Sequence, residues 1–257
     1  MNVTGLARGL GLTTQECSRH LSRLSEAMLV DRNPDGLYVL TNYGRSSLRL
    51  IPSQLFLSEH KEYFNAHTLR KLPQEFVSRI GELQESDLTE NVMQSFSIVE
   101  SIFKNAEENV SMIHDQYLLS VLPLGVTALK RGVSLNSLEP RTKGPRRDLN
   151  PARPGYISEE DEDYLLRSWL DGNIDSRFTE AIDIFLYVSE SESLVAFPLA
   201  DGAFDYVGFH SMDEASLRYC SDLFNHYFAG GETPSRQNIE EYHERRKAFH
   251  REGERVV

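Results

Sequence analysis

The 257-residue chain carries 27 Lys and Arg against 39 Asp and Glu, a formal net charge of −12 at pH 7. Hydrophobic residues make up 40% and aromatic residues 10%, which excludes an intrinsically disordered chain and leaves room for one or two domains. No apolar run approaches transmembrane length and no signal pattern opens the chain, so no membrane partner is expected. Cys17 and Cys220 each fall on an apolar helical stripe, so both are expected as buried thiols in a reducing, cytoplasmic compartment.

Val3, Leu6, Ala7 and Leu10 have helical spacing, and Gly9 and Gly11 break that helix before Leu12. A second helix then opens on a capping box, with Thr13 and Glu16 three residues apart. Cys17, Leu21, Leu24 and Met28 recur at spacings of four, three and four and predict its buried stripe. Gln15, Ser18, Arg19, Ser22 and Arg23 occupy the opposite face, with side chains of the types that bind phosphates and base edges. Leu29-Val30 and the alternating run 37–40 flank Asn33-Pro34-Asp35-Gly36, a turn whose Asp-Gly suits positive φ in a tight hairpin. Helix, Gly-containing turn, helix and hairpin is the winged helix-turn-helix pattern. Met1 stands almost at the start of the first helix of the pair, so this unit is expected to lack the winged helix's usual leading helix. The residues alone also admit a helical hairpin that touches no nucleic acid.

Charge distribution favours the first reading. Residues 1–50 hold six Arg and four acids, a net of +2, which leaves −14 for the remainder. The acidic bulk should repel DNA everywhere except at the recognition helix, giving one docking orientation and a salt-sensitive affinity.

Residues 51–89 read as a helical linker. One helix is expected near 53–66, and another opens at Pro73 and closes at Gly81. By analogy with the linker helices of dimeric regulators, this stretch would carry a homodimer contact. A helix over 90–108 repeats Val92, Phe96, Val99 and Phe103, and strands at 109–113 and 133–138 flank a helix over 116–131. Strand, helix and strand in this order predict a right-handed parallel βαβ unit. Residues 139–155 are rich in Pro and Arg and read as a surface loop, or as a basic loop near an anion. Ser158 and Asp161 open a further helix that stops at Gly172; strands follow at 182–188, 194–198 and 204–209, and a last helix carries Leu217, Cys220, Phe224 and Tyr227 before Gly230-Gly231. The expected organisation is therefore α+β. A winged helix at 1–50 and the linker at 51–89 precede an α/β mixed-sheet effector-sensing domain at 90–230 and a charged tail at 231–257.

No His or Cys set has metal-ligand spacing, and there is no phosphate-binding Gly loop or nucleophile elbow. His60, His67 and His114 are scattered and read as satisfied surface or half-buried residues. No enzyme activity and no cofactor are expected.

Several segments carry a resemblance: R-H-L-S-R-L, D-G-L-Y-V-L-T-N-Y-G, S-E-H-K-E-Y-F-N-A-H-T-L-R-K-L-P, D-Q-Y-L, A-L-K-R-G-V, A-F-P-L-A-D-G-A-F-D-Y-V-G-F and D-L-F-N-H-Y. Together, over nearly the whole chain to about Ala229, the sequence resembles archaeal winged-helix regulators of the methanogenesis-regulatory type. The resemblance implies an ArsR-like or TrmB-related winged helix and an α/β effector domain similar to the phospholipase-D-like sensor domain of TrmB-type regulators. The H-x-K-x-x-x-x-D motif of phospholipase D is absent from the sequence, which favours a binding domain over a hydrolase. It further implies that Thr14, Gln15, Ser18, Arg19 and Arg23 read or clamp double-stranded promoter DNA, with Arg32, Asn33 and Tyr38 around the wing. For an unknown small-molecule effector, Asp115, Trp169, Arg177 and Asp201 are candidates because they lie at element ends. Two other readings stay open. In one, a protein-interaction module recruits transcription machinery; in the other, the chain is a degenerate hydrolase.

Overall fold

The computed structural model describes residues 1–115, 121–141, 158–235 and 240–241. Most of the expected 139–155 loop and of the charged tail, and the start of the helix expected from Gln116, lie outside these residues. The chain divides into two compact units, 1–59 and 60–257, and its architecture is α+β with a mixed sheet. Among the described residues no helix is long and apolar enough to cross a membrane.

In the first unit α1 (Val3–Leu10) is capped by the Asn2 side chain, which accepts from the Gly5 amide. It ends on Gly11 at φ 66, where the Leu12 amide reaches back to the Ala7 carbonyl and satisfies one of the helix's last acceptors. α2 (Thr14–Glu26) follows. β1 (Val30–Arg32) and β2 (Tyr38–Leu40) pair antiparallel and form the wing. Met1 adds a short third edge, its backbone exchanging hydrogen bonds with Tyr38. Ala7, Cys17 and Leu21 are buried, with Val3, Leu6, Val30 and Tyr38 packed around them.

The expected stripe of α2 is buried only in its first half. Leu24 remains 39% and Met28 69% exposed. Met28 lies beyond the helix end at φ 58, and that reversal turns its side chain off the stripe. The wing turn also differs from the expected one: Gly36 alone takes positive φ, so the Asn33 to Gly36 turn is not of the mirror-image type. Tyr43 and Gly44 do not end the hairpin. They lie in α3 (Asn42–Leu48), which leads to α4 (Ile51–Glu59).

The second unit begins with α5 (Lys61–Ala66), so the helix expected over 53–66 is broken at His60. The expected linker, 51–89, is shared between the two units because residues 60–72 are woven into the sheet's connections. The Tyr63 hydroxyl accepts from the Phe197 amide and donates to the Val207 carbonyl, and the Thr68 and Ala200 amides bond the Pro198 and Ala66 carbonyls. α6 (Gln74–Arg79) passes into a 3₁₀ turn, Ile80–Leu83, in which Gly81 is an interior residue rather than a stop.

The seven-stranded sheet runs in the order β3 (Asp87–Leu88), β9 (Phe209–Ser211), β8 (Ser193–Ala196), β7 (Phe185–Ser189), β4 (Asn109–Ile113), β5 (Ser134–Pro140) and β6 (Ile174–Thr179). β4, β5 and β6 are parallel; β7, β8, β9 and β3 continue antiparallel from β4. One face packs on α7 (Val92–Asn105), α8 (Leu122–Lys130) and α9 (Glu159–Leu170). α10 (Glu214–Ala229) also packs on the sheet, burying Tyr219, Cys220, Leu223 and Phe224.

β3 and β6 have no counterpart among the expected strands, and the strand expected over 204–209 is irregular until Phe209. Tyr206 stands at φ 63, which no strand tolerates. Gly208 lies so close to β8 that an added Cβ would meet the Val195 carbonyl oxygen at 2.3 Å. The aromatic alternation that suggested a strand instead lays Phe204 and Tyr206 against the core.

Both cysteines are buried and free. Burial pushes the Cys220 thiol up to about 12, against a hydrogen bond with Ser193, and the Tyr227 phenol up to about 12. Burial also raises the Tyr63 and Tyr219 phenols. All four folded values lie above those of the unfolded chain, so the folded unit retains protons that the unfolded chain releases. Their contribution is complete below the unfolded thiol value of 9.0 and is lost as pH rises toward about 12, at up to ~1.4 kcal/mol per group per pH unit. Circular dichroism over a base titration is expected to show stability falling from pH ~9 upward; a flat profile to pH ~12 would refute the assignment.

Candidate nucleic-acid interface

The capping box fixes where α2 begins. The Glu16 amide donates to Thr13 Oγ1 at 3.2 Å, and Glu16 Oε2 accepts from the Thr13 amide at 3.0 Å and its hydroxyl at 2.8 Å. Those bonds, the hydroxyl's first, hold the Glu16 carboxyl below its usual range, so it stays ionised at the positive end of the helix. Thr13→Ala removes both the cap and the anchor of Glu16 and is expected to cost about 1 kcal/mol in chemical denaturation of the first unit. An unchanged denaturation midpoint would show that the cap is idle.

With Cys17 and Leu21 turned inward, Thr14, Gln15, Ser18, Arg19, Ser22 and Arg23 are all exposed. α2 is 13 residues long, so the helix extends about 20 Å. Thr14, Gln15, Ser18 and Arg19 occupy its first turns, the part of a recognition helix that reaches base edges; Arg23 lies a turn beyond. Among the described residues no carboxylate forms an ion pair with Arg19 or Arg23. Ser22 is engaged, donating to Glu26 at 3.2 Å.

The wing divides its candidate residues by task. Arg32 and Tyr38 are cross-strand partners; the guanidinium donates to the phenol oxygen at 2.9 Å and lies 4.8 Å from the ring centroid. Arg32 itself remains exposed on the hairpin. The Asn33 side chain is used in the turn, where its Oδ1 accepts from the Leu37 amide at 2.8 Å. Sequence reasoning did not single out Thr41. Its hydroxyl donates to the Met28 carbonyl at 2.6 Å and accepts from the Gly44 amide at 2.8 Å, joining the exit of α2 to α3. The Thr-x-x-Gly spacing was the only local signal for it.

The four effector candidates belong to separate local structures. Asp115 follows β4 and accepts from the Tyr206 hydroxyl at 3.2 and 3.1 Å. Arg177 donates to Asp175 and to the Phe228 carbonyl, and its guanidinium lies 4.0 Å from the Phe228 ring centroid, so it ties β6 to the end of α10. Asp201 caps its own turn by accepting from the Ala203 amide at 2.9 Å. Trp169 is half-buried on α9. Arg141, the described part of the basic loop, pairs with Glu232.

No protein-family profile matches the chain, and no curated protein matches it. Among solved structures, an archaeal chromatin protein, TrmBL2, described as showing a novel mode of DNA binding, is similar over 91% of this chain and 88% of its own, with 14% identity and a TM-score of 0.45. Nuc from Salmonella typhimurium, a phospholipase D family member, is similar over 58% of this chain and 99% of its own, with 14% identity and a TM-score of 0.38. Neither likeness is close enough to establish a shared fold.

Proposed function

We propose that the chain is a non-enzymatic, cytoplasmic transcription regulator that binds double-stranded promoter DNA through α2 and its wing, and whose α/β unit senses a small molecule. One observation carries the DNA-binding part: Gln15, Ser18, Arg19 and Arg23 stand exposed along one capped helix, beside a wing that presents Arg32. Fluorescence anisotropy with DNA from the gene's own promoter, over a salt series, tests it. Steep salt dependence with preference over an unrelated duplex is expected. Weak binding that is indifferent to sequence would overturn it.

A second property has its own support. Tyr43, Leu48, Leu50, Ile51 and Leu55 are exposed along α3, α4 and the residues between them. Exposed large apolar side chains on two successive helices are the kind of surface that a homodimer would cover. The same surface supports the competing reading, an interaction module without direct DNA binding. Retention of a protein partner at high salt with no DNA retention would favour that reading.

A further inference from the structure

The helix that follows the wing carries a polar side that α2 does not account for. Residues 36–58 contain no Asp or Glu, where roughly three would stand at the frequency of the whole chain. The charged residues of that stretch are Arg45 and Arg49, both on α3, with Arg49 as its C-cap at helical dihedral angles. Asn42, Arg45, Ser46 and Arg49 are linked at spacings of three and four, so they form one patch, and all four are exposed. Gly44 lies on the other side of the helix, buried against the Leu29 backbone. Within the patch Arg45 donates to Asn42 Oδ1 at 3.1 Å, and the Ser46 hydroxyl donates to the Asn42 carbonyl at 3.1 Å.

A solvated helix face ordinarily mixes charges of both signs. The second unit follows that habit: Arg79, Lys104, Lys130 and Arg177 each pair with a neighbouring carboxylate. Among the described residues no carboxylate pairs with Arg45 or Arg49. The patch is also fixed in place. Thr41 follows β2 directly, and its bonds to the Met28 carbonyl and the Gly44 amide hold α3 at the exit of α2 and the foot of the wing, within one compact unit.

We infer that Asn42, Arg45, Ser46 and Arg49 make a second contact with duplex DNA, gripping backbone phosphates beside the stretch that α2 meets. Charge complementarity selects a polyanion, and Arg, Ser and Asn are side chains that bind phosphate oxygens. Continuity with α2 and the wing makes that polyanion the same duplex. Arg45 and Arg49 stand roughly 6 Å apart along the helix, and successive phosphates of one strand rise by about 3.4 Å, so the pair can engage two neighbouring phosphates. Such contacts add affinity and fix register but carry no sequence information. Tyr43 and Leu48 lie outside this patch and stay available to a dimer contact. The inference rests on the DNA-binding reading proposed above and lengthens its footprint.

The test is fluorescence anisotropy of the full chain on promoter and scrambled duplexes over a salt series. The double variant Arg45→Ala, Arg49→Ala is expected to bind both duplexes roughly tenfold more weakly, with the salt slope lower by about two and the ratio between the duplexes unchanged. Arg45→Lys with Arg49→Lys keeps two point charges and is expected to restore most of the slope. Hydroxyl-radical footprinting should show a protected patch on one strand that the alanine variant loses while the rest of the footprint stays. Should the alanine variant lose its circular dichroism, Arg45→Gln with Arg49→Gln serves in its place. An unchanged slope, a changed ratio between the duplexes, or no recovery in a folded lysine variant overturns the backbone contact. Arg19→Ala and Arg23→Ala separate the two claims. Weakened binding in those variants with none in the alanine pair removes the α3 contact and leaves α2 in place. The opposite pattern keeps the α3 contact and removes the α2 reading, and a wild-type chain that binds neither duplex overturns both.

Discussion

Arg19→Ala is expected to weaken promoter binding by roughly 5- to 150-fold, the equivalent of about 1–3 kcal/mol, and to relax discrimination at one base position. Arg19 occupies the first half of α2, where a recognition helix meets base edges, and among the described residues no carboxylate forms an ion pair with it. Arg23→Ala should behave differently. A turn further on, that side chain would meet phosphate under the proposed docking, so its loss is expected to lower affinity on all duplexes alike and to reduce the salt slope by about one. Anisotropy on cognate and scrambled duplexes at several salt concentrations distinguishes the two. Unchanged affinity in both variants would defeat the assignment of α2. Neither substitution touches Cys17 or Leu21, so thermal unfolding should be unaffected.

Gly44→Ala should do the greatest damage to the first unit. A Cβ at this position would stand 1.9 Å from the Leu29 carbonyl oxygen and 2.8 Å from its carbon, both backbone atoms that cannot rotate away. The same segment carries the Thr41 bonds to Met28 and to Gly44 itself, so relief of the clash disconnects α3 from the exit of α2. A cost of about 3 kcal/mol or more is expected. Since only Ala7, Cys17 and Leu21 are buried in this unit's cluster, that cost is expected to unfold it. Amide exchange should show lost protection confined to residues 1–59, together with loss of DNA binding. A protected first unit in this variant would show that α3 can move away from Leu29.

The parts of the molecule legible in the sequence were those written in local chemistry. The Thr13 and Glu16 box, the Gly11 stop and the Ser158 and Asp161 box each depend on residues a few positions apart and formed where expected, and the strand expected over 182–188 formed from Phe185 on. What failed depended on distant neighbours. β6 alternates Ile174, Ser176 and Phe178, and its buried middle member is a serine, so no apolar period marked it. Phe204 and Tyr206 have strand spacing, but Gly208's approach to β8 forces another path. His114, Glu139 and Ser176 are scattered along the chain and become neighbours only through the register of three parallel strands.

The reversal of direction at β4 also bears on how the chain reaches its native state. β7 and β8 are separated by three residues and can zip early, whereas β4 must wait for the crossover through α8 to find β5, and for some seventy residues of further chain to find β7. During synthesis from the amino end, β4 and β5 emerge with one rim of β4 unsatisfied. A ribosome-released fragment ending before Phe185 would therefore present the buried run Val110 to Ile113 as an open ladder, ready to template pairing with another nascent chain.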